Sequence, residues 1–314
     1  YEEVERIEGA FNGLALGRQI RATITRDGRS QDFEFVLFVP KSDTPVPVIV
    51  EINNREFITL KDAVTTENPF WPVKLILQRG YATAAFHTSH VDPDQKDGYA
   101  DGIRALLDDA DSDPATRWRS LSAWGWAASR VLDFAIEQDG IDGDRSVVVG
   151  HSRGGKTALW AAAEDQRFKI AYSNNSGCGG AALSRRAYGE TVARITSSFP
   201  HWFCDRFSAY GGNEDNLPID QHQLIGLIAP RSVYVTSADE DLWADPLGEY
   251  LSLVAASPVF KLLGLDSITN PNPPPLDQPR HVGATGYHVR SGGHNLTETD
   301  WRWFLDFADS RFER

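Results

Sequence analysis

A serine between glycines, a cluster of carboxylates and a histidine behind two glycines follow one another along this chain, an order that suits nucleophilic acyl transfer. The serine is Ser152, within Gly150-His151-Ser152-Arg153-Gly154-Gly155-Lys156. The β-branched run Val147–Val149 enters this turn, and a helix-forming run from Lys156 to Glu164 leaves it. That strand–elbow–helix context gives the G-x-S-x-G pattern meaning; alone, the same pattern arises often by chance. Glycines two positions either side of the serine let strand and helix approach closely at a strained turn. Ser152 Oγ is then exposed above the sheet, beside the positive end of the helix.

The histidine and the acid should lie on loops after later strands. His294 follows Ser291-Gly292-Gly293, where flexible backbone can aim an imidazole sideways, and it precedes the last helical segment. His288 stands in strand-like sequence and reads as structural, while His151 is expected to point away from its neighbour Ser152. After the strand Val233–Ser237 comes a loop holding Asp239, Glu240, Asp241 and Asp245. Asp241, just ahead of the apolar pair Leu242-Trp243, is the expected acid that orients His294. Glu240 and Asp239 stay open as alternatives, and Asp245 is expected to cap the following helix.

The elements that must position these residues alternate. Gln19–Thr25 and Asp32–Val39 read as a hairpin around Arg26-Asp27-Gly28. Short strands follow at Val46–Ile52, Tyr81–Phe86, Phe168–Ser173, Arg231–Ser237 and Tyr287–Arg290. Helical spacing is seen over Pro69–Gln78, Trp118–Asp139, Asp245–Ala256 and Glu298–Phe312. Strands alternating with helices predict an α/β fold, with a mostly parallel sheet covered on both faces. Asn270–Pro279 is expected to be a Pro-rich surface loop, and residues 1–314 one domain.

Composition narrows the function. The 314 residues are 41% hydrophobic and 24% charged, with net charge −13. Such a charge disfavours nucleic acid and anionic membranes, since there is nothing to release their counterions. No stretch reaches the roughly 20 apolar residues of a membrane span. The chain starts at Tyr1 and holds no methionine, so a processed or trimmed form is expected, with a secretory signal peptide removed and a secreted or periplasmic location. Cys178 and Cys204 could bridge or remain as thiols. Asn295-Leu296-Thr297 is a glycosylation sequon of the kind that also arises by chance. No metal-ligand spacing stands out, and a monomer is favoured.

Gly150–Lys156, Ser176–Ala182, Gly189–Val192, Phe199–Phe203, Asp241–Pro246 and Gly292–His294 together resemble the glucuronoyl esterases, in the same order, and the stretch from Trp118 to Gly140 also fits. Arg153 and Lys156 restrict the match far beyond a generic elbow. The resemblance implies an α/β-hydrolase fold, no cofactor, and hydrolysis of the ester joining 4-O-methyl-glucuronic acid of glucuronoxylan to lignin alcohols. Carried over by position, it makes Ser152 the nucleophile and His294 the general base, and turns Arg153 toward the oxyanion. Lys156 would bind sugar hydroxyls, and Glu190 and Trp243 would hold the uronate ring. One departure is informative: fungal members place the acid as a glutamate just before a Ser-Gly pair, where this chain has Asn175. The chain thus resembles members that use the later loop, which supports Asp241. The competing readings are a carbohydrate deacetylase such as an acetyl-xylan esterase on the same fold, or a non-catalytic hydrolase-fold binding protein.

Overall fold

β-Branched and aromatic runs, fenced by glycine and proline, build the strands of this chain, and the structure, a computed structural model, describes residues 1–109 and 111–313. In chain order the strands are β1 (Glu2–Gly9), β2 (Ala15–Arg26), β3 (Arg29–Pro40), β4 (Val46–Asn53), β5 (Ala82–His87), β6 (Ile141–His151), β7 (Phe168–Asn174), β8 (Ser232–Ala238), β9 (Arg280–Val282) and β10 (Thr285–Arg290). They form one sheet, ordered β1-β2-β3-β5-β4-β6-β7-β8-β10-β9. From β5 to β10 neighbouring strands run parallel, and the pairs at either end are antiparallel.

The central strands bury both faces, as parallel strands must. Along β4, Val48, Val50 and Ile52 belong to one apolar cluster and Ile49 to another. The first cluster is closed by Trp124, Leu159 and Leu253, from the helices Ser120–Ile136, Arg153–Glu164 and Pro246–Leu262. The second is closed by Ile76 from Val73–Gln78 and by Trp301 and Phe304 from Glu298–Arg311.

Several boundaries differ from expectation for local reasons. The helix expected from Pro69 begins at Val73, because Pro69 and Pro72 lack the N–H a helix interior needs. The helix expected to end at Ala256 runs on to Leu262 and carries Pro258 inside it. Strand β1 escaped notice because its sequence, Glu-Glu-Val-Glu-Arg-Ile-Glu-Gly, has an exposed and charged pattern. It pairs with β2 as a polar edge, which resists further strand addition. Asn270–Pro279 forms no helix or strand, and β9 follows it directly. The cysteines are both free thiols, and burial pushes Cys178 up to about 12.

The parallel arrangement sets the site. Asn54 and Arg55 follow β4, Ser152 follows β6, Asn175 follows β7, Asp241 lies beyond β8 and His294 beyond β10. All stand at the carboxyl ends of the parallel strands, where open α/β sheets bind ligands.

Candidate active site

Ser152 sits at the turn from β6 into the helix Arg153–Glu164, with φ 57 and ψ −123. A non-glycine residue there is strained, and the surrounding backbone holds it. Its N–H donates to Asn174 O at 2.8 Å, and its carbonyl accepts the first helical bond, from Lys156 N at 3.1 Å. Gly150 is required by crowding: a Cβ there would lie 2.1 Å from Gly154 O.

His294 Nδ1 stands 2.6 Å from Asp241 Oδ2. An ionised carboxylate only accepts, so the proton is on Nδ1 and Nε2 is left free to act as a base. Hydrogen bonds from His294 and Asn175 outweigh burial and hold the Asp241 carboxyl below its ordinary value. The other acids of that loop have separate tasks. Asp239 accepts from Gly292 N–H at 2.8 Å, and Asp245 caps the next helix at Gly248 N–H while pairing with Arg186; Glu240 is exposed.

The glycine-rich loop that carries His294 is tied down from beneath. Buried Arg290 donates from Nη1 to Ser291 O, and from Nη2 to Gly293 O at 2.9 Å and Asn295 O at 2.7 Å. Its Nε donates to Asp300, which also binds His288 and, through Thr297, caps the final helix. His288 is therefore fully buried and structural. Thr297 of the sequon is part of that cap.

His151 borders the catalytic histidine: its ring packs at a tilt against that of His294, with centroids 4.4 Å apart. Arg55 Nη2 lies 3.0 Å from its Nε2; because guanidinium only donates, Nε2 accepts and Nδ1–H donates to Asn174 Oδ1 at 2.5 Å. Burial first, then His294 and Arg55 nearby, hold His151 well below its ordinary pKa, so it is neutral.

Two cations open the elbow helix. Arg153 Nε lies 2.5 Å from Asp94 Oδ2, its Nη2 donates to Asn54 O at 3.3 Å, and its guanidinium stands over Trp202. Asp94 is in turn held by His201 Nε2 at 2.8 Å and Trp202 Nε1 at 2.7 Å. These donors and the Arg153 charge overcome burial and lower the Asp94 pKa. Lys156 is enclosed: its Nζ donates to Ser176 O at 2.5 Å, Cys178 O at 2.7 Å and Glu190 Oε2 at 2.8 Å. An ammonium has three protons, and all three are taken. In this arrangement the ammonium holds Glu190, the residue expected beside the uronate ring. The other Glu190 oxygen accepts from Trp243 Nε1 at 3.1 Å, and the indole is half-exposed. Gly189 makes that approach possible, since a Cβ there would lie 2.5 Å from the carbonyl oxygens of Leu242 and Trp243.

Sequence reasoning missed Asp94, the support from Arg290 and the packing of His151 against His294. Asp94 and its partner His201 are 107 positions apart, with no local pattern to join them. Among the described residues no cluster of His, Cys, Asp and Glu could hold a metal ion, and no helix is long and apolar enough to cross a membrane.

Residues 22–264 match the model of a family described as glucuronyl esterase, fungi. The chain belongs to the glucuronoyl esterase family. This esterase is 37% identical over 335 aligned positions to a carbohydrate esterase, MZ0003, from an unknown prokaryotic organism, covering 96% of this chain and 76% of that one. It also resembles the 4-O-methyl-glucuronoyl methylesterase of Podospora anserina, at 36% identity over 46% of this chain and 32% of the relative. A glucuronoyl esterase structure from Solibacter usitatus superposes with TM-score 0.90 and 34% identity, over 99% of this chain and 86% of that one. The esterase is thus a carboxylic ester hydrolase, and its sheet is that of the α/β-hydrolase fold.

Proposed function

We propose that this esterase uses Ser152, His294 and Asp241 to hydrolyse esters of (4-O-methyl-)glucuronic acid on glucuronoxylan with lignin-type alcohols, as one secreted or periplasmic domain. The observation that carries the chemistry is the 2.6 Å Asp241–His294 contact, which leaves Nε2 as the base in a site built around the strained Ser152 elbow. Ser152 Oγ attacks the ester carbonyl while His294 Nε2 takes its proton, then returns it to the leaving alcohol oxygen. Water, activated by the same nitrogen, releases the uronic acid from the acyl-enzyme. The negative charge on the tetrahedral oxygen falls to the Arg153 guanidinium and backbone N–H; losing one such donor costs about 10²–10³ in rate. Lys156, Glu190 and Trp243 receive the sugar, with the Lys156 ammonium also fixing the Glu190 carboxylate.

The test is purified protein on benzyl glucuronate beside acetyl-xylan, with Ser152→Ala as control. Hydrolysis of the glucuronate ester is expected, abolished in the variant without loss of fold. Equal turnover of both esters would leave only a general carboxylesterase, and an active Ser152→Ala variant would remove the nucleophile assignment.

A further inference from the structure

Asn175 follows β7 in the left-handed region, φ 45, where asparagine is among the better-tolerated residues. Its N–H donates to Thr236 O on β8 at 2.8 Å, which locks the backbone. The buried side chain then has one polar neighbour: Nδ2 donates to Asp241 Oδ2 at 2.8 Å, while Oδ1 has no partner among the described residues. Asp241 Oδ2 is also the oxygen that accepts from His294. One carboxylate oxygen thus takes donors from two loops.

We infer that Asn175 is a positioning residue for this reaction: by donating to Asp241 it fixes the rotation and ionised state of the carboxylate that orients His294. An aspartate in its place is isosteric but reverses the function, because an acceptor would face an acceptor. Two carboxylates that close repel each other, and the pair regains a bridging donor only when it takes up a proton as pH falls. The other titratable or charged groups around Asp241 are His294, Glu249 from the helix Pro246–Leu262, and on its own loop Asp239, Glu240 and Asp245, the last paired with Arg186. None of these residues is itself substituted in the Asn175 variants, so variant and wild type are compared with the same set of neighbours.

The inference rests on the triad proposed above and is tested apart from the substrate. Rates are measured from acid to neutral pH on benzyl glucuronate and on p-nitrophenyl acetate, a small ester that needs only the catalytic groups. Wild type inactive on the glucuronate alone counts against the substrate, and the variants are then compared on the acetate. Asn175→Ala should lower kcat about ten- to a hundredfold with KM nearly unchanged, the loss of one hydrogen bond to a charged group. Asn175→Asp should lose at least as much at neutral pH, yet its rate relative to wild type should climb as pH falls, because the protonated carboxyl again donates to Asp241. A loss that is constant across pH, or one in KM alone, would overturn the inference. Independently of activity, the low-field NMR proton of the Asp241–His294 bond should shift in Asn175→Ala; an unchanged resonance would also overturn it.

Discussion

Arg153 and Lys156 sit three residues apart at the start of one helix, yet the two flanks of Ser152 hold them in opposite ways. On the β4 and β5 side Arg153 meets a single carboxylate, Asp94, and both side chains keep contact with water, 29% and 15% exposed. On the β7 and β8 side Lys156 and Glu190 are 2% and 8% exposed, and the ammonium is saturated by two carbonyls and the carboxylate. A cation in the first turn of a helix opposes the macrodipole, so both need a partner. The difference lies in exposure: the Lys156 ammonium is enclosed by its three partners, while part of the Arg153 guanidinium still meets water.

Breaking the enclosed side should give the largest effect on stability. Lys156→Met strands the Glu190 carboxylate and two carbonyls, and removing one partner of a buried pair costs about 3–5 kcal/mol. A large fall in denaturation midpoint is expected, with weakened preference for glucuronate over small activated esters. A near-wild-type midpoint would show that Glu190 can find other partners.

Arg153→Ala should do the reverse. Its midpoint should move little, while kcat falls about 10²–10³-fold with modest change in KM, as for an interaction made only in the transition state. A rise in KM alone would place Arg153 in ground-state binding. Asp94→Asn should be milder, lowering kcat about tenfold or somewhat more through a misaimed guanidinium. The depressed folded pKa of Asp94 makes its stabilisation present above the ordinary aspartate value of about 3.9 and lost as pH falls through the lower folded value. The pairing should therefore be intact from mildly acid to neutral pH.

A carboxyl with no hydrogen-bond partner among the described residues sharpens the contrast. Glu51, in the middle of β4, is fully buried, both of its oxygens lack such a partner, and burial raises its pKa well above the ordinary value. The folded state keeps this proton while the unfolded chain releases it, so stability falls as pH rises above about 4.3 toward the folded pKa. Glu51→Gln should leave kcat unchanged and raise the midpoint relative to wild type, by more at pH 7 than at pH 4. A gain independent of pH would mean that Glu51 finds a partner in solution.

Sequence legibility followed the range of the interactions. The elbow was readable because Val147–Glu164 carries strand, strained turn and helix in one continuous stretch. His294 and the acid loop are readable because each follows a recognisable strand, and Asp241 stands out by its place ahead of Leu242-Trp243 and by the family resemblance. The task of Asp239, bound to Gly292 N–H, could not be seen, since 53 residues separate them. Strand β1 was hidden for another reason: a polar edge strand has no apolar alternation to find.

What the sequence determined by itself is the order of the central strands and of the helices between them that it could name, the strained serine and the family, because these reside in local pattern and in residue identity at fixed spacing. Tertiary structure decided the rest. It turned Lys156 into a buried tie and joined Asp94 to Arg153. It packed neutral His151 against His294, and set Asn175 against Asp241 from the neighbouring strand. Each of these depends on which strands lie side by side, and on which polar groups then find a partner away from water. Spacing along the chain does not encode either.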